Sequence, residues 1–124
     1  MQKKNSQSVE DYLEAILILS KRSQHVRSID IAKFMQVSKP SVSVAMKKLR
    51  ESGHILMNSN GFISLTEEGQ KMANSVYEKH EFLRNFFISI GVDEEIAKND
   101  ACQIEHAISE DVFNALKNYV NNKS

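Results

Sequence analysis

Cys102, Glu105 and His106 stand at i, i+3 and i+4 in the run Ala101-Cys102-Gln103-Ile104-Glu105-His106. On a helix that spacing puts a thiol, a carboxylate and an imidazole on one face. Sulfur, oxygen and nitrogen donors on a shared face are what a transition-metal site needs. Ala101, Ile104 and Ile108 form an apolar stripe beside them, so the donors are expected at the edge of a core, partly shielded from water. Further donors lie elsewhere. Asp11 and Glu14, at i and i+3, make an acidic pair near the start of the chain, and His80 follows Lys79 in the second half. Each piece alone also has a plainer reading. A lone histidine on an amphipathic helix is usually a core or surface residue, a buried cysteine is commonly inert, and acid pairs often answer only to a helix dipole.

A second group of residues suits phosphate rather than metal. Ser38, Lys39, Pro40, Ser41 and Ser43 open one short segment, and Lys47, Lys48 and Arg50 follow along it. Small hydroxyls permit close approach and hydrogen bonding, while the cations supply a salt-sensitive attraction to a nucleic-acid backbone. No Arg or Asn stands at the tip for a bidentate base contact, so readout through phosphates and DNA shape is expected. Arg27, Arg22 and the stretch Asn58–Asn60 are further candidates for such contacts. The plain alternative is that Lys47, Lys48 and Arg50 form a solvated helix face.

These residues must be positioned by short elements, because the chain has a single proline, four glycines and no low-complexity segment. Residues 8–21 carry Val9, Tyr12, Leu13, Ile16, Leu17 and Leu19 at helical spacing behind Ser8 as a possible cap. A short helix is expected over 28–35, with Ile29, Ala32 and Phe34 or Met35 facing inward. A third helix is expected over 39–52, capped by Ser38, with Pro40 in the first turn and Gly53 at its end. His54–Met57 and Phe62–Leu65 flank Asn58-Ser59-Asn60-Gly61, a strong hairpin signal. Thr66 then caps a long helix running to about Ile90, and two further helices span 93–106 and 109–121, with Ser109 capping the last. Three helices followed by a hairpin make a winged helix-turn-helix, whose second motif helix would be 39–52. The expected architecture is therefore mainly α: a winged helix-turn-helix over residues 1–70 and an all-helical metal-binding and dimerisation region over 71–124.

Charge follows the same division. The chain is neutral overall, but residues 1–60 carry ten Lys and Arg against five Asp and Glu, and residues 61–124 carry six against eleven. A basic half joined to an acidic half suggests one half facing phosphate and the other cations. Cys102 is the sole cysteine, so no internal disulfide exists and a reducing cytoplasm is the expected setting. The first residues do not read as a signal peptide, and no apolar run approaches a membrane span.

Taken together, the runs Val9-Glu10-Asp11-Tyr12-Leu13-Glu14, Lys79-His80-Glu81 and Asp100–His106 resemble the metal-dependent repressors typified by the diphtheria toxin repressor and the manganese transport regulator. The resemblance covers about residues 6–120. It implies a homodimer that binds an inverted-repeat operator in double-stranded DNA when loaded with metal and represses metal-uptake genes. Carried over by position, it makes Asp11, Glu14, His80, Cys102, Glu105 and His106 the expected ligands. Asp11 and Glu14 belong to the DNA-binding half and the other four to the second half. A cation held by both sets would bolt the halves together and fix the spacing of the two recognition helices in the dimer.

The chain is a hybrid within that family. Manganese-type members resemble it at Asp11 and Glu14, but many place a carboxylate where Cys102 stands. Iron-type members share the cysteine but have Met at the place of Asp11. Arg84 and Lys98 stand where iron-type members hold a second metal, and two cations there should weaken or abolish such a site. The shortness of the chain, without an SH3-like third domain, also fits the manganese type. Mn²⁺ is thus the expected co-repressor and Fe²⁺ the next. Two other readings compete. In one, a winged-helix repressor senses a small organic ligand or oxidation of Cys102; in the other, the winged helix serves protein interaction alone. An enzyme with Cys102 as nucleophile and His106 as base would need an oxyanion hole and a substrate loop that the sequence does not offer.

Overall fold

The computed structural model describes residues 2–123, with side chains described from Ser8 to Asn122. Its elements run α1 (Gln2–Arg22), α2 (Ser28–Met35), α3 (Lys39–Glu51), β1 (Ile55–Met57), β2 (Ile63–Leu65), α4 (Glu67–Ser89), α5 (Glu94–Ile104) and α6 (Glu110–Lys123). The chain divides into two compact units, Met1–Ser75 and Val76–Ser124.

In the first unit α1, α2 and α3 pack on one another, and the hairpin lies against α1 and α3. Leu13, Ile16 and Leu17 of α1, Ile31 and Ala32 of α2, Val42, Met46 and Leu49 of α3, and Ile55 and Ile63 of the strands are all buried. Each large side chain removed from water contributes about 1.5–3 kcal/mol, so this apolar cluster is what holds the helices in place. Ser38 caps α3: its Oγ accepts the Ser41 N–H at 3.2 Å. The strands pair antiparallel with Ile55 opposite Leu65 and Met57 opposite Ile63. The Asn58 side chain closes their loop by accepting the N–H groups of Asn60 and Phe62 at 2.9 and 3.0 Å. Gly61 there has φ 81°, a conformation that disfavours a side chain. Thr66 caps α4 by accepting the Gly69 N–H at 3.1 Å and donates its own proton to the Gly53 carbonyl at 2.7 Å. Three helices and a hairpin in this order form the winged helix-turn-helix expected from the pattern.

Two local expectations need correction. Ser8 does not cap α1, because the helix continues through it back to Gln2. Phe34 does not face inward; it is 40% exposed, with the Arg22 guanidinium 5.6 Å above its ring. Ala32 is buried as expected and Ile29 and Met35 are half-buried, while Ile31, not among the expected residues, is fully buried beside Ala32.

The described residues of the second unit form helices joined by short turns. Gly91, at φ 101°, ends α4, and Asp93 caps α5 by accepting the Glu95 N–H at 3.1 Å. Ser109 accepts the Val112 N–H at 3.2 Å and so caps α6, as expected. Phe113 of α6 is buried and meets Phe82 of α4 edge-on, ring centroids 5.5 Å apart. Two ion pairs flank that contact, Lys79–Glu110 at 2.8 Å and Lys117–Glu78 at 2.9 Å. Leu83, Ala97 and Ala101 are buried. Among the described residues no helix is long and apolar enough to cross a membrane.

Candidate metal centre and nucleic-acid interface

His80 comes from the middle of α4 and Cys102 from the last turn of α5. The helix ends at Ile104, so Glu105 is its C-cap and His106 lies in the turn beyond. Glu105 nevertheless keeps helical backbone angles, φ −56° and ψ −27°, which preserves the i, i+3 relation to Cys102. Both residues therefore sit where the chain leaves α5, not on a continuing helix face as expected.

Glu105 is the centre of the cluster. Its side chain is 1% exposed, and each carboxylate oxygen faces an imidazole: Oε2 lies 3.2 Å from His80 Nδ1, and Oε1 lies 3.4 Å from His106 Nε2. Cys102 Sγ lies 3.6 Å from the same His80 Nδ1, on the exposed side. One atom of each of His80, Cys102 and Glu105 falls within 4.8 Å of the others. Ligands at about 2.0–2.3 Å from a common centre are separated by no more than roughly 4.6 Å, so the cluster needs only a small contraction to share one ion. Thiolate, carboxylate and imidazole are also the donor types that a divalent transition metal takes.

The His80 imidazolium is favoured by its hydrogen bond to Cys102, then by that to Glu105, against the opposing effect of burial; its pKa is pushed up to about 10. The Lys79 side chain next to it is engaged with Glu110 and lies 6.0 Å from the Phe113 ring, so it turns away toward α6. Arg84, one turn after His80, pairs with Glu81 at 3.2 Å.

Asp11 and Glu14 lie on α1 in the first unit, both half-buried, with the fully buried Leu13 between them. The structure thus groups His80, Cys102, Glu105 and His106 within the second unit and places the acidic pair on the first.

The residues expected to face DNA lie along α3. Lys39, Pro40, Ser41, Ser43, Lys47 and Lys48 are all exposed, as is Ser38 at the cap. Ser38 donates its hydroxyl proton to Ser41 Oγ at 2.8 Å, so Ser41 retains its own proton to donate outward. Arg27 is exposed at the start of α2, its guanidinium 4.6 Å from the Phe62 ring at the loop end of the hairpin. That stacking holds a cation beside the hairpin. Val44, also on α3, is 56% exposed; apolar type alone did not mark it, since the buried Val42 stands two residues away.

Two family models match the chain. The "Iron dependent repressor, N-terminal DNA binding domain" matches residues 4–60, and the "Iron dependent repressor, metal binding and dimerisation domain" matches residues 66–124. An uncharacterised helix-turn-helix-type transcriptional regulator of Methanocaldococcus jannaschii is 33% identical over 114 residues, 90% of this chain and 91% of that protein. The transcriptional regulator MntR of Escherichia coli O157:H7 is 36% identical over 109 residues, 88% of this chain and 70% of that protein. Among solved structures, the manganese regulator SloR superposes with a TM-score of 0.81 at 32% identity, covering 91% of this chain and 53% of that one. The chain therefore spans about half the length of SloR.

Proposed function

Because the chain belongs to the iron-dependent repressor family of metal-dependent, DNA-binding transcriptional regulators, we propose that it takes Mn²⁺ as co-repressor, with Fe²⁺ the next-best fit. The observation that carries this reading is the grouping of His80, Cys102 and a nearly water-free Glu105 within 4.8 Å. Asp11, Glu14 and His106 complete the proposed ligand set. Three carboxylates in it favour a hard cation, and the similar structure named as a manganese regulator points the same way. Cys102 is the one soft donor and the reason iron stays second. Arg27, Ser38, Lys39, Pro40, Ser41, Ser43, Lys47 and Lys48 are the proposed DNA contacts, and the target is an inverted repeat bound by a homodimer. The proposed domain border lies at residues 70 and 71.

A bound divalent cation supplies the positive charge at which acidic and neutral donors converge. To hold it, His80 would have to give up its proton, and Glu105 would offer the ion the charge it now shares with the imidazoles. Asp11 and Glu14 come from the DNA-binding half, so their ligation makes that half's arrangement depend on metal. A metal held by both sets of residues would thereby favour the DNA-competent population through its differential affinity for it.

The Mn²⁺ electron paramagnetic resonance signal tests the metal assignment. Protein loaded with Mn²⁺ should keep at least about half of it against an equal, anaerobic concentration of Fe²⁺, against the trend of the Irving–Williams order. Full displacement would make iron the cognate metal. Glu14→Gln separates the switch from a repressor that senses an organic ligand or Cys102 oxidation: here it should raise the metal concentration needed for DNA binding, whereas the alternative leaves DNA binding unchanged.

A further inference from the structure

α3 buries Val42, Met46 and Leu49 along one side. A helix turns about 100° per residue, so Val44 lies nearly opposite that buried line. Its neighbours on the outer ridge are Pro40 and Lys48, one turn before and after, with Ser41 and Lys47 alongside; all are exposed. The ridge thus presents one apolar pair, Pro40 and Val44, framed by hydroxyl and ammonium groups.

An exposed valine is ordinary on a protein surface. This one sits where local energetics disfavour it. A β-branched side chain loses rotamer freedom in a helix, and at 56% exposure it recovers little through burial. Lys, Glu or Gln would suit a merely solvated ridge better. The same face has no Arg, Asn or Gln to read a base by paired hydrogen bonds. What Val44 offers a base edge is methyl carbon, and the major-groove feature that answers to carbon is the C5-methyl of thymine.

Resting on the reading of the chain as a DNA-binding repressor with α3 in the major groove, we propose that Val44, backed by Pro40, reads the 5-methyl group of a thymine in each operator half-site. Lys47 and Lys48 on either side hold the backbone while the valine methyls discriminate thymine from cytosine, which lacks that group.

The test uses the full-length, Mn²⁺-loaded protein and a fluorescein-labelled duplex selected by it from a random pool. Thymines are replaced one at a time by deoxyuridine, which removes only the methyl group. Wild-type protein should lose about three- to ten-fold in affinity at one position per half-site, the scale of one methyl contact. Val44→Ala should bind the unmodified duplex weaker by a similar factor and be indifferent to deoxyuridine at that position. Val44→Thr, which keeps one methyl, should fall between them. Both variants change an exposed side chain, so their unfolding temperatures should match the wild type. Operator binding with the same deoxyuridine profile in wild type and Val44→Ala would overturn the role of Val44 alone. Failure to select any preferred duplex with metal present would overturn the repressor reading and this inference together.

Discussion

A carboxylate with 1% of its side chain exposed is costly to keep unless positive or donor groups face it. Glu105 has an imidazole at each oxygen, and hydrogen bonds to Cys102 first and Glu105 second push the His80 pKa up. That couples metal to pH. The His80 value of about 10 lies above its ordinary 6.5, so the stabilisation it brings to the metal-free protein is complete below pH 6.5 and is lost as pH rises through 10. Metal needs the neutral ring, so binding releases this proton, and apparent Mn²⁺ affinity should rise with pH by up to about ten-fold per unit. Titration calorimetry in buffers of different ionisation enthalpy checks this; a flat affinity from pH 6 to 8 with no proton release would contradict it. Glu105→Gln keeps the shape but removes the central charge, and should weaken Mn²⁺ by at least about 100-fold, the upper end of what even indirect ligand support is worth.

At the scale of elements, the approach of α4 to the strand start leaves no room for a side chain at Gly69. A Cβ on Gly69 would collide with the His54 carbonyl, while Thr66 binds the Gly53 carbonyl on the same side. Gly69→Ala should therefore destabilise the first unit by about 1–3 kcal/mol, as overpacking does, read as a lower urea midpoint. The elements whose ends carry side-chain or glycine signals were legible from sequence: Ser38, Asn58–Gly61, Thr66, Gly91 and Ser109 all mark boundaries that the structure keeps. Where several local solutions were nearly equal, sequence misled. Ser8 is a good cap in isolation, but α1 runs through it; Phe34 is apolar, but a stacked Arg22 covers it at the surface. The spacing of Cys102 and Glu105 was legible, whereas the end of α5 at Ile104, between them, was not, since no glycine or proline marks it. Which of Val42 and Val44 faces the core depends on how α3 is rotated about its axis, a tertiary property.

For the whole molecule, the segregation of charge is the property that sequence and function share most directly. The basic first half carries α3 and the wing, and its cations should make DNA binding steeply salt-dependent. Lys48→Ala should weaken binding to all duplexes alike and lower the salt slope by about one. The acidic second half carries His80, Cys102, Glu105 and His106, four of the six proposed ligands, and matches the family's metal binding and dimerisation domain.

The central claim is that metal and DNA binding are one coupled equilibrium. Fluorescence anisotropy of a labelled duplex from the DNA upstream of its own gene tests it most directly, first with chelator and then with Mn²⁺ at buffered free concentrations. The account predicts specific binding only in the presence of metal, tightening by about 10-fold or more, in the usual range of coupling between two sites. Equal affinity with chelator and with Mn²⁺ would contradict it, leaving a DNA-binding winged helix whose Cys102, Glu105 and His80 cluster serves another purpose.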